Sequence, residues 1–218
     1  MIKACLFDLD GTLLDTLTSI NDRLNETLVR HGFSPISRES ARAFVGDGAR
    51  VLVFRAIASQ REGVDESVIS AVHRDFIDYY NADFARGTEP YAGICELLSR
   101  LKEKGITLAV ISNKPDPTTK QLCELFFDGM FEVVFGQRAG VKLKPAPDAP
   151  LEICKILGVE PSETAYFGDT GVDMQTAKNY GAGIGIGVLW GFRDKDELTA
   201  HDADALISSP LDALKYFN

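Results

Sequence analysis

From Gly93 onward the sequence alternates short apolar runs with amphipathic stretches, and that alternation leaves few folds open. ITLAVIS, EVVFG, TAYFGD, GIGIGV and ADALIS read as strands. Between them, GICELLSRLKEKG, a stretch around Thr118 to Phe126, APLEICKILG and DMQTAKNYG read as helices. Strands that alternate with helices form a parallel sheet covered on both faces. The apolar run Ala4 to Phe7 is a further strand, separated from the others by residues 15 to 87. That block carries Leu17, Ile20, Leu24 and Leu28 at helical spacing, then two more helical patterns over residues 38 to 60 and 66 to 84. The expected architecture is therefore a doubly wound, Rossmann-like α/β core with an inserted all-helical cap. The core takes residues 1-14 and 88-218, and the cap takes residues 15-87.

Composition narrows the partners. A formal net charge of -9 and no basic stripe argue against nucleic acid, while a small anionic metabolite is not excluded. No apolar run approaches a membrane span, and Met1 begins no signal-like segment. The cysteines are dispersed among apolar neighbours, which reads as buried thiols in a reducing compartment. The expectation is a cytoplasmic protein, monomer or homodimer, with no nucleic-acid or membrane partner.

Ligands of open α/β sheets bind beyond the carboxyl ends of the strands. The first strand ends at Asp8, with Asp10 and Gly11 directly behind, and Asp15 or Thr16 is placed to cap the next helix. Two carboxylates so close are costly unless a cation or a shared proton relieves them. Ser112, Asn113 and Lys114 close the ITLAVIS strand, Lys144 follows EVVFG, and Asp169 closes TAYFGD. Acids, a hydroxyl and a lysine on one sheet edge are the parts for metal-assisted phosphoryl transfer. Each has a plainer alternative: Ser112 as a helix cap, Asp173 as the N-cap of DMQTAKNYG, Lys142 in place of Lys144.

Asp8-x-Asp10-Gly11-Thr12, Ser112, Lys144-Pro145 and Gly168-Asp169-x-x-x-Asp173 occur in the order found in the haloacid dehalogenase-like hydrolases, which the chain resembles over essentially its whole length. The resemblance implies Asp8 as nucleophile, Asp10 as general acid and base, and Ser112 and Lys144 on the phosphoryl group. It also implies Mg²⁺ on the Asp8 side chain, the Asp10 carbonyl and Asp169, supported by Asp173. Thr12, Asn113 and Lys114 are expected at phosphate or substrate.

In the cap, Gly46-Asp47-Gly48 would bring backbone to the substrate and Arg50 would meet a carboxylate, unless the stretch is a plain turn. This stretch and the tail GVLWGFRDKDEL resemble the bacterial phosphoglycolate phosphatase branch, which implies 2-phosphoglycolate as substrate. Pyrophosphate, nucleotides or a sugar-phosphate mutase reaction are the rival readings within the family. Cap lysines that would serve phosphonate cleavage are absent from residues 15 to 87. A phosphorylated receiver-like binding module is the rival from another class. Such modules lack a general acid two residues past the phosphorylated Asp.

Overall fold

The computed structural model describes residues 1–217 and divides into two compact units, 1–15 with 90–217 and 16–89. The first holds a six-stranded sheet of β1 (Ala4–Phe7), β4 (Thr107–Pro115), β5 (Val133–Gln137), β6 (Thr164–Gly168), β7 (Ile184–Val188) and β8 (Ala205–Ile207). Two-residue strands β2 (Leu14–Asp15) and β3 (Glu89–Pro90) lie where the chain passes between the units. The large sheet runs β5-β4-β1-β6-β7-β8, and every neighbouring pair is parallel. The strand order reverses at β1, which is flanked by β4 and β6. This makes the end of β1 the crevice where such sheets bind ligands.

Continuous apolar strands imply burial on both faces. Ala4 and Leu6 of β1 join Ala109, Ile111 and Tyr166 in a core with Ile153 of α7 (Asp148–Leu157) and Ala177 of α8 (Gly171–Tyr180). Cys5 and Phe7 point to the other face. There the Phe7 ring stacks on Phe167 at 4.6 Å, and Phe167 stacks on Phe217 at 6.3 Å. Helices α5 (Ile94–Glu103), α6 (Asp116–Phe127) and α9 (Lys195–Ala200) complete the unit. Each fully buried Leu or Phe contributes about 1.5–3 kcal/mol, so these two faces hold the strand ends firmly.

The second unit is all helical: α1 (Leu17–Arg30), α2 (Arg38–Phe44), α3 (Ala49–Ala58) and α4 (Glu66–Ala82). Residues 38 to 60 form two helices. The chain breaks at Gly46 and Gly48, whose φ of 121° and 90° lie in the left-handed region that suits glycine. Arg55 donates to the Phe44 carbonyl at 2.9 Å and pairs with Asp47 at 2.6 Å, which closes the end of α2. The buried stripe of α4 is Ile69, Val72, Phe76 and Tyr80. Tyr79 on the same helix is half-buried and carries the Arg30 guanidinium over its ring at 4.0 Å. Thr16 stands at the N-cap of α1, but its hydroxyl makes no capping bond. Cys95 is exposed, against the expectation for the cysteines. Among the described residues, no helix is long and apolar enough to cross a membrane.

Candidate active site

Asp8 is the first residue past β1, and its amide still donates to the Phe167 carbonyl at 2.8 Å, so the sheet fixes its backbone. Gly11, at φ 87°, then turns the chain, and the Leu13 and Leu14 amides fold back onto the Leu9 carbonyl at 3.0 Å. Lys144 Nζ lies 2.7 Å from Asp8 Oδ1 and 2.7 Å from Asp173 Oδ1. Its main chain is clamped by Asn113, whose Oδ1 accepts from Lys144 N at 2.9 Å and whose Nδ2 donates to Lys144 O at 3.2 Å. Asn113, expected at phosphate or substrate, thus holds the main chain of Lys144.

The acids are crowded, but the Asp10 carboxylate stands apart from the crowd. Asp10 has its own lysine: Lys114 Nζ donates to both its carboxylate oxygens at 3.0 Å. The crowd is Asp8, Asp169 and Asp173, all buried, with one carboxylate oxygen of each within 4.8 Å of the others. Burial, with the Asp173 charge next, pushes the Asp8 carboxyl up to about 7 despite the pull of Lys144. Burial and then Asp173 and Asp8 hold Asp169 well above the usual carboxylate range. For Lys144 burial works downward, but Asp173 and Asp8 outweigh it and raise the ammonium above an ordinary lysine, so it stays charged.

Asp173 is fully committed. Oδ1 accepts from Lys144 at 2.7 Å and from the Tyr166 hydroxyl at 3.1 Å. Oδ2 accepts from the Thr170 hydroxyl at 2.6 Å and the Thr170 amide at 3.1 Å. The N-cap of α8 is Thr170, and Asp173 is the return arm of its capping box, which corrects the N-cap alternative for Asp173. Asp169 is held more lightly: Thr12 Oγ1 donates to Oδ1 at 3.2 Å and Phe192 N to Oδ2 at 2.7 Å. Thr12, expected at phosphate or substrate, here donates to Asp169. Ser112 Oγ accepts from Lys114 N at 3.2 Å, and its own hydroxyl proton can be given to an anion.

Three buried carboxylates with hard oxygen donors suit a divalent cation such as Mg²⁺, which takes one or two carboxylates and keeps several waters. Asp8 and Asp169 have acceptor capacity left for it, whereas Asp173 is spent on Lys144, Tyr166 and Thr170.

The helical-unit candidates are occupied within their own unit. Arg50 pairs with Glu66 and donates to Ser70 at 3.4 Å, and Asp47 pairs with Arg55. Gly46 and Gly48 make the turn described above. Tyr166 and Thr170 went unforeseen as site supports. T-x-x-D before a helix is a readable capping box, and a tyrosine inside an otherwise apolar strand needs a polar partner. Nothing in the sequence pointed to Phe192, whose contribution is a main-chain amide.

A strand-end carboxylate beside a buried lysine and an acidic cluster suits chemistry on anionic phosphorus groups. The chain belongs to the haloacid dehalogenase-like hydrolases, whose family pattern matches residues 5–186, and it is an enzyme of the phosphatase kind. It is 35% identical to Phosphoglycolate phosphatase 1 of Pseudomonas aeruginosa over 82% of this chain and 66% of that one, thus just under two thirds of that relative's length. It is also 35% identical to the phosphoglycolate phosphatase of Rhodospirillum rubrum, over 87% of this chain and 80% of the relative. A crystal structure from Lactobacillus delbrueckii subsp. bulgaricus, provisionally assigned as a phosphoglycolate phosphatase, superposes with a TM-score of 0.94. It is 33% identical, over 99% of this chain and 98% of that one.

Proposed function

We propose that the chain is a Mg²⁺-dependent phosphatase that hydrolyses a small phosphate monoester through an aspartyl-phosphate on Asp8, with 2-phosphoglycolate as substrate. The observation that carries this reading is Asp8 itself: a buried carboxylate at the switch point of the sheet, 2.7 Å from a lysine that stays charged.

An Asp8 oxygen attacks phosphorus, and the bond from phosphorus to the ester oxygen breaks. Asp10, carrying a proton, gives it to the departing alkoxide. Asp10, now a carboxylate, takes a proton from the water that attacks the aspartyl-phosphate. The bond from Asp8 to phosphorus then breaks, which releases inorganic phosphate and restores the Asp8 carboxylate. Lys144 and the Ser112 hydroxyl face the negative charge that develops on the phosphoryl oxygens. Asp173 and Asn113 hold Lys144 in place for that task. Mg²⁺ would be held by Asp8, the Asp10 carbonyl and Asp169, and would supply charge neutralisation there. The Lys114–Asp10 pair must open for Asp10 to deliver a proton, so Lys114 is counted here as the partner of Asp10.

The substrate rests on the relatives' names and on the resemblance read from residues 44 to 50 and the GVLWGFRDKDEL tail in the sequence. The helical unit is proposed as the cap that selects the leaving group. The test is inorganic phosphate release from a panel of 2-phosphoglycolate, a hexose phosphate, a nucleoside monophosphate, pyrophosphate and p-nitrophenyl phosphate, with Mg²⁺ or with EDTA. Steady Mg²⁺-dependent turnover, fastest on 2-phosphoglycolate, is expected. Preference for another ester would overturn the substrate, and a stoichiometric phosphoprotein without turnover would overturn the enzyme.

A further inference from the structure

We infer that the strap of residues 189 to 192, which follows β7, sets the affinity of the site for its divalent cation by locking the Asp169 carboxylate. The inference rests on the metal-dependent reading above and concerns residues that the mechanism leaves unused.

Asp8, Asp169 and Asp173 repel one another, and an unrestrained Asp169 would swing its carboxylate away from the other two. Asp173 is held by four hydrogen bonds and Asp8 by its lysine. Asp169 has neither, and it is restrained by a slot between two glycines. A Cβ on Gly11 would lie 2.2 Å from Asp169 Oδ2. A Cβ on Gly191 would lie 2.3 Å from Asp169 Cβ and 2.4 Å from the Gly11 carbonyl oxygen. Neither wall of the slot tolerates a side chain. Phe192 N, one residue on, gives Oδ2 its 2.7 Å hydrogen bond.

The strap is anchored through Leu189 and Trp190. The Leu189 amide donates to the Ile207 carbonyl on β8 at 3.0 Å. Trp190 Nε1 donates to the Thr12 carbonyl at 3.0 Å, which ties the strap to the Asp10–Thr12 turn, and its ring packs at 6.5 Å from Tyr91. Thr12 is also the residue whose hydroxyl holds Asp169 Oδ1. Turn and strap therefore close on Asp169 as one clamp, with one donor on each oxygen. Each oxygen keeps a second lone pair for the cation. A ligand held against the repulsion of its neighbours need not be reoriented when the ion arrives, and this raises affinity.

Gly191→Ala pushes the strap off Asp169, and Trp190→Phe keeps a ring against Tyr91 but removes the donor to Thr12. The experiment is isothermal titration of the whole protein with Mg²⁺, alongside circular dichroism and turnover as a function of Mg²⁺. Gly191→Ala is expected to weaken Mg²⁺ binding about 10- to 100-fold, and Trp190→Phe by severalfold. Turnover of both should recover at high Mg²⁺, a rescue that a merely structural defect would not show. A folded Gly191→Ala protein that binds Mg²⁺ as the wild type does would overturn the inference. Should that variant fail to fold, an unchanged affinity in Trp190→Phe overturns it instead. Wild-type protein that binds no Mg²⁺ would sink the metal-dependent reading as well, so the two failures are told apart.

Discussion

The two units use charge in opposite ways. In the α/β unit, Asp8, Lys114, Lys144, Asp169 and Asp173 are buried, and each is held by named partners at the carboxyl edge of one sheet. In the helical unit every cation is an arginine apart from the histidines, and the candidate residues sit in half-exposed pairs such as Arg50–Glu66 and Asp47–Arg55. Its one buried charged side chain, Arg23, is satisfied by Glu26 and Asp83 at 2.7 Å. Burying a charge costs several kcal/mol unless geometry offsets it, whereas a surface pair is worth about 0–1 kcal/mol. Charges concentrated against that cost mark the unit that holds the candidate site.

The contrast can be broken most forcefully at Asp8. Asp8→Asn should abolish phosphate release, a loss of roughly 10⁴-fold or more, with the circular dichroism spectrum unchanged. Retained turnover would remove Asp8 from the chemistry. Lys144→Met leaves Asp8 and Asp173 facing each other without a cation. It should lower stability in urea by about 3–5 kcal/mol at pH 8, and by less at pH 5, where Asp8 can hold a proton. An equal loss at both pH values would mean that the lysine does not balance these acids.

A smaller effect follows from the Asp8 carboxyl, ordinarily near 3.8 and here about 7. The folded state binds this proton more tightly than the unfolded chain, and Asp169 shifts in the same direction. Without metal, the stability from Asp8 is present below pH 3.8 and is lost as pH rises towards 7. The melting temperature in EDTA should thus fall between pH 5 and 7.5, and Mg²⁺ should restore it most at the upper end. A flat profile in EDTA would show that the crowd carries no such strain. The smallest change is expected from Arg50→Ala, whose exposed pairing predicts a shift in melting temperature of about one or two degrees. A KM rise confined to carboxylate-bearing esters would return Arg50 to the substrate site.

Much of the fold was legible because burial on both faces makes parallel strands continuously apolar, and Ala4–Phe7, ITLAVIS and TAYFGD stand out for that reason. The break at Gly46–Gly48 was visible as a turn, and it divides α2 from α3. Asp8 and Asp169 were legible as strand-end residues, and Lys144 and Asp173 by their place in the family order. Their pairing was less accessible, because it depends on which side chains the sheet register brings within reach. Asn113 and Lys114 show this: both adjoin Ser112, yet one holds the backbone of Lys144 and the other holds Asp10.

Sequence alone determined that acids, a hydroxyl and a lysine would gather at the carboxyl edge of one parallel sheet, since periodicity and chain order are local properties. Tertiary structure decided that Asp8 crowds with Asp169 and Asp173 while Asp10 takes its own lysine. It also decided that two glycines 180 residues apart enclose one carboxylate. Like charges are forced together only when a packed sheet and its turns fix their backbones, and no local pattern records that constraint.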